Sequence, residues 1–149
     1  MESPARPHRQ TLITLVRATL EAMLDELIER LHAAGHAGIR PAHSRVFENL
    51  DPDGTRLTVL AERAQMTHPS MSELVSSLEQ LGYVVRVPDP ADGRARMVRF
   101  TQAGRTVQRV ALAEIDAIET AWIRRLGPTV GPEFIPALTR AVDERLHRS

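Results

Sequence analysis

Between Leu60 and Phe100 the chain passes from a helical to a strand-like hydrophobic period, and this order of patterns restricts the fold more than any other feature of the sequence. Leu60-Ala61-Glu62-Arg63-Ala64 is helical in character, and Gln65-Met66-Thr67 reads as a three-residue turn. A second helix is expected from His68 to about Leu81, with Met71, Leu74, Val75, Leu78 and Leu81 on its core face. Thr67 can cap it, because its hydroxyl accepts one of the amide donors that the first helical turn leaves unpaired. Pro69 fits there for the complementary reason, and Gly82 supplies the glycine at which helices commonly stop. From Tyr83 to Val87 the residues become β-branched and aromatic. Pro88 to Gly93 is a turn, and from Ala95 to Thr101 Arg96, Val98 and Phe100 alternate with Met97 and Arg99. That is the pattern of a hairpin.

Longer helices flank this unit. From about Arg9 to Ala33 a single stripe contains Ile13, Val16, Leu20, Met23, Leu24, Leu27 and Leu31. Gly35 and Gly38 end it, and Pro41 opens a short helix through Val46, Phe47 and Leu50. Asp51-Pro52-Asp53-Gly54 is a turn, Thr55 to Leu57 a very short strand, and Thr58 the expected cap of the helix that follows. From Gly104 a long helix carries Val107, Ala111, Ile115, Ile118, Trp122 and Leu126. Gly127-Pro128 and Gly131-Pro132 should break the chain before a last amphipathic helix with Phe134, Ile135, Leu138, Ala141, Val142 and Leu146.

The fold expected is mainly α with a small β-hairpin: a winged helix-turn-helix over residues 41–103, flanked by helical dimerisation regions at 1–40 and 104–149. The outer apolar stripes exceed what one small winged helix can cover. A two-fold homodimer supplies the missing surface.

Composition narrows the function classes. The chain has no cysteine, which removes disulfides, thiolate metal sites and thiol redox sensing. No run approaches the ~18 apolar residues of a membrane span, and Met1 to Gln10 is polar, so no membrane partner is expected and the cytoplasm is the default location. His32 and His36 stand four apart with His43 nearby, but Gly35 ends the helix between the first two, so no metal site or other cofactor is expected. Ser, His and Asp occur without a Gly-x-Ser-x-Gly elbow, a phosphate loop or a His-Glu-x-x-His helix, which argues against an enzyme. The formal net charge is zero, yet Tyr83 to Arg109 holds Arg86, Arg94, Arg96, Arg99, Arg105 and Arg109 against Asp89 and Asp92, a local excess of +4. Concentrated basic charge on a hairpin beside a helix pair suits double-stranded DNA, with the second helix in the major groove and the hairpin tip on backbone or minor groove.

The segment Leu60 to Gly104 resembles the central signature of the MarR family of transcriptional regulators. The matching features are Leu60-Ala61, Leu78-Glu79, Leu81-Gly82-Tyr83, Asp89, Asp92, Arg94, and Thr101 followed by Gly104. The resemblance implies that Thr67 to Ser77 contains the major-groove reader and that Arg94 enters the minor groove from the wing tip. Asp92 and Asp89 would fix the wing loop, and Arg96 would contact phosphate. It also implies a homodimer of intertwined outer helices and modulation by a small aromatic or anionic molecule; the two-fold dimer is expected on an inverted-repeat operator, as a repressor with activation as the alternative.

The chain departs from the family pattern at Glu73, Ser77 and Gly93, where basic residues are common. Base reading then falls to Thr67, His68, Ser70, Ser72 and Ser76, with Glu73 either accepting from a cytosine amino group or lying near phosphate or an arginine. His43, Arg45 and Trp122 are the candidate effector neighbours. The alternative function is a winged-helix module that binds protein instead of DNA.

Overall fold

The computed structural model describes residues 10–146, with side chains to residue 144. Arg9, where the first helix was expected to begin, and the side chain of Leu146 lie outside the described residues. Helix α1 (Leu12–Ala33) starts at a Thr11 cap, whose hydroxyl accepts from the Thr14 amide at 3.2 Å. A 3-10 turn (Pro41–His43) leads into α2 (Ser44–Asn49). Then follow β1 (Thr55–Arg56), α3 (Leu57–Arg63), α4 (His68–Gln80), β2 (Val84–Pro88), β3 (Arg96–Phe100), α5 (Gln102–Arg125) and α6 (Gly127–Leu146).

The three strands form an antiparallel sheet in the order β1-β3-β2. Val84 faces Phe100 and Arg86 faces Val98 across the hairpin, while Thr55 faces Val98 on the other side. Strand alternation therefore puts Thr55, Val84, Val98 and Phe100 on the inner side, where all four are buried. They close over α3 and α4 in a core that contains Val46, Leu60, Met71, Val75 and Leu78, each fully excluded from solvent. Burying each such side chain stabilises the fold by roughly 1.5–3 kcal/mol. A second cluster, of Leu27, Leu31, Ile39, Val107 and Ile118, joins α1 to α5. Across the same seam Arg30 donates to Glu26 and to Glu114, both at 2.8 Å.

Two close approaches lock the wing to its neighbours. Gly82 (φ +81°) ends α4 and lets the Tyr83 amide return to the Leu78 carbonyl at 3.0 Å. Gly104, in the first turn of α5, sits so near the Tyr83 carbonyl that a Cβ there would overlap it.

Three sequence expectations are corrected. Thr58 does not cap α3: β1 runs straight into the helix and Arg56 occupies the cap position without a side-chain bond. Leu81 is not core; it is 38% exposed and lies against Gly38. Gly131-Pro132 does not break the last helix, which runs from Gly127 through Pro132 and Pro136. The only break there falls at Leu126–Gly127, where Gly127 takes φ +79°. Gly131 instead gives the closest packing of α6 on α5, since a Cβ there would meet the Ile123 carbonyl oxygen at 2.7 Å.

Candidate nucleic-acid interface

Helices α3 and α4 are joined by a turn whose one unusual residue is Gln65, with φ +52°. The Met66 amide closes the turn on the Ala61 carbonyl at 2.9 Å. Thr67 caps α4 as expected, accepting from the Ser70 amide at 3.3 Å and donating to the Ser70 hydroxyl at 2.9 Å. Met71, Val75 and Leu78 anchor the inner face of α4, leaving Thr67, His68, Ser70 and Glu73 exposed. This is the face and the end of the helix that a major groove accepts.

Ser72 and Ser76 behave differently. The Arg86 guanidinium, reaching across from β2, donates through Nη2 to the Ser72 carbonyl (3.0 Å), the Ser72 hydroxyl (3.2 Å) and the Ser76 hydroxyl (3.1 Å). Its Nη1 pairs with Glu79 at 2.9 Å, and the Arg86 amide donates to the same carboxylate at 3.0 Å. Ser72 and Ser76 are therefore half-buried members of a clamp between wing and helix, not free readers. On the opposite flank Ser77 meets His43 Nε2 at 3.0 Å and the Arg40 guanidinium at 3.4 Å.

The wing loop is closed by its own backbone. The Asp89 amide donates to the Ala95 carbonyl at 2.9 Å, and the Asp92 carbonyl accepts from the Ala95 amide at 3.0 Å. The Asp92 carboxylate takes the Arg94 amide at 3.1 Å rather than its guanidinium. Arg94 and Arg96 are exposed, and their guanidinium groups have no partner among the described residues. Asp89 is only 7% exposed. It accepts from the Ala91 amide at 2.8 Å and from Arg56, and these two contacts hold its carboxyl below the usual carboxylate range, the backbone amide first and Arg56 second. Both aspartates thus shape the loop, and the arginine that pairs with one of them comes from β1.

The proposed effector neighbours are not brought together. His43 is fully buried, with Nδ1 accepting from the Arg40 amide at 3.1 Å; burial, and secondarily Arg40, lowers its pKa. Arg45 is exposed on α2, and Trp122 is half-buried on α5 with the Arg125 guanidinium 5.1 Å from its ring centre. None of the three lines the cavity of about 360 Å³ that opens between α1, Ile39 and Arg40 of the following loop, α2 and α5. Its walls are apolar, including Leu24, Leu27, Ile39, Phe47, Val107 and Ile118, with Arg40, Ser44, Glu48 and Glu119 as the polar members. Arg40 and Arg86 were not singled out from sequence; both act through contacts with residues far away in the chain. Among the described residues no group of three His, Asp or Glu side chains is placed to hold a metal ion.

The helix pair, the arginine-bearing hairpin and the long helices on either side define a winged helix-turn-helix protein. Residues 37–95, the segment that holds the helix pair and most of the wing, match the MarR family model. Among curated relatives, the transcriptional regulator HosA of Escherichia coli O111:H- is 29% identical over 87 residues, which cover 58% of this chain and 64% of HosA. The match thus spans less than two thirds of that relative. Among solved structures, CouR from Rhodococcus jostii RHA1, bound to p-coumaroyl-CoA, has a TM-score of 0.73 at 21% identity and covers 95% of each chain. MepR of S. aureus in complex with DNA has a TM-score of 0.71 at 19% identity, covering 91% of this chain and 99% of MepR. These likenesses establish the mainly helical winged-helix fold with its small sheet. No helix among the described residues is long and apolar enough to cross a membrane.

Proposed function

We propose that this protein is a cytoplasmic transcriptional regulator that binds double-stranded DNA as a homodimer, with residues 41–103 reading the DNA and residues 1–40 and 104–149 forming the dimer. The observation that carries this reading is the pairing of a capped, solvent-facing α4 with a rigid wing whose tip presents Arg94 and Arg96 unpaired. Phosphate and minor groove are the natural partners of such guanidinium groups, because the loop is already ordered and little further freedom is lost on contact. Thr67, His68, Ser70 and Glu73 face the major groove, while Arg86, Asp89 and Asp92 hold the two reading elements in place. Binding an inverted repeat and blocking polymerase makes the protein a repressor, acting by occupancy and without catalysis.

The exposed apolar faces of α1 and α6 support the dimer, since Leu12, Ile13, Phe134, Ile135, Leu138 and Val142 are exposed among the described residues. The apolar cavity supports a small-molecule effector. The structural neighbour CouR is seen with p-coumaroyl-CoA, and MepR with DNA. An effector acts here only through unequal affinity for two arrangements of the reading heads.

The test is selection of bound fragments from sheared genomic DNA by wild type and Arg94→Ala at two salt concentrations. Enrichment of an inverted repeat is expected, weakened by salt. Arg94→Ala should lower affinity about tenfold and reduce the salt slope by about one. A folded dimer that enriches nothing at low salt overturns the DNA reading and favours a protein partner.

A further inference from the structure

The reading surface of α4 has an acidic centre. At about 100° per residue, Glu73 projects opposite the core residues Met71, Val75 and Leu78, with Ser70 one turn before it and Ser77 one turn after it. Of the serines around it, Ser72 and Ser76 are held by Arg86 on the wing side, and Ser77 by His43 and Arg40 on the other. The nearby arginines are thus committed elsewhere: Arg86 to Glu79 and the serines, Arg40 to Ser77. Glu73 itself is exposed and has no hydrogen bond or ion pair among the described residues. A helix that carried this carboxylate merely as surface charge would set it at the flank, in reach of a guanidinium. Here it stands at the crest, the part of the helix that goes deepest into a groove.

We propose that Glu73 is a specificity-determining residue that selects a C·G base pair in each half-site by accepting a hydrogen bond from the cytosine N4 amino group. This rests on the DNA-binding reading above and extends it to a base preference. An ionised carboxylate has acceptors only, so it pairs with a base edge that offers a donor. In the major groove the donors are cytosine N4 and adenine N6, and adenine presents the N7 acceptor directly beside its amino group. The second carboxylate oxygen would face that lone pair on adenine but not on cytosine. Guanine and thymine offer acceptors at the same depth and are repelled. Glu73 therefore works by exclusion as much as by attraction, which is how a helix without an arginine can still be selective.

Selection from duplexes randomised across the half-site separates the outcomes, using full-length wild type, Glu73→Gln and Glu73→Ala. Wild type should show one position per half-site held as C, with roughly tenfold discrimination, in line with the worth of a single good base contact. Glu73→Ala should lose the preference at that position alone and keep the others. Glu73→Gln should move it towards adenine, since an amide can donate to N7 while accepting from N6. Both variants should melt with wild type, because the exposed side chain makes no hydrogen bond or ion pair among the described residues.

If Glu73→Ala instead binds every sequence more tightly by the same factor, with all base preferences unchanged, Glu73 faces phosphate and the proposal is wrong. That outcome leaves the regulator reading intact, because the salt dependence and the effect of Arg94→Ala persist. A wild type that selects no DNA overturns both.

Discussion

The winged helix and the outer helices are built from similar aliphatic residues, yet they stand in opposite relations to solvent. In the winged helix Leu60, Met71, Leu78 and Val98 are wholly buried, and both ring nitrogens of His43 and both oxygens of Asp89 are engaged, though Arg99 Nε is buried without a partner among the described residues. In the outer helices Leu12 and Ile13 are 76% and 71% exposed, and Phe134, Ile135, Leu138 and Val142 form an open row along α6. One region completes its core among the described residues; the other leaves an apolar surface exposed there. Amphipathic periodicity alone does not distinguish the two, because it reports which face is apolar and not what covers it.

The largest expected effect comes from charging the open row. Phe134→Asp with Leu138→Asp should convert a sedimenting dimer to a monomer and lower operator affinity by at least about a hundredfold, because two linked heads bind far more tightly than one. Its far-ultraviolet circular dichroism should stay near that of wild type; a folded double variant that remains dimeric would place the interface elsewhere. Next is Leu78→Ala, which should cost about 3 kcal/mol in urea unfolding followed at one protein concentration. Leu138→Ala, measured as a monomer, should cost a small fraction of that. Equal losses would erase the contrast between closed and open regions.

The smallest effect is on pH dependence. Arg40 donates its amide into His43 Nδ1, so Nδ1 carries no proton and Nε2 donates to the Ser77 hydroxyl. Burial and Arg40 hold the folded-state pKa below the ordinary 6.5. As pH falls below about 6.5 the unfolded chain takes up this proton before the folded one, so stability declines through that window and is complete above it. His43→Gln should be less stable at neutral pH but should flatten the slope below about pH 6.5. An unchanged slope would show that another group is responsible.

Features decided within a few residues were legible in the sequence. Thr67 caps α4 and Gly82 ends it because capping depends only on neighbouring backbone amides and carbonyls, and the β2–β3 hairpin follows from period-two alternation. What escaped was set by contacts between distant segments. Ser72 and Ser76 looked like readers until β2 placed Arg86 against them. The break expected at Gly131-Pro132 failed because Gly131 is held against α5, a tertiary contact that overrides a local breaker signal. His43, Arg45 and Trp122 missed the cavity because its walls are aliphatic side chains from four elements, and aliphatic residues carry no chemical signature of a site.

The contact between Gly104 and the Tyr83 carbonyl joins the wing to the end of a 24-residue helix without space for play. With a rise of 1.5 Å per residue, α5 is a boom roughly 36 Å long. A tilt of about 5° pivoting at its far end swings the wing by roughly 3 Å, close to the 3.4 Å between successive base pairs. On the DNA-binding reading proposed above, so slight a tilt of α5 would carry Arg94 about one base-pair step along the duplex.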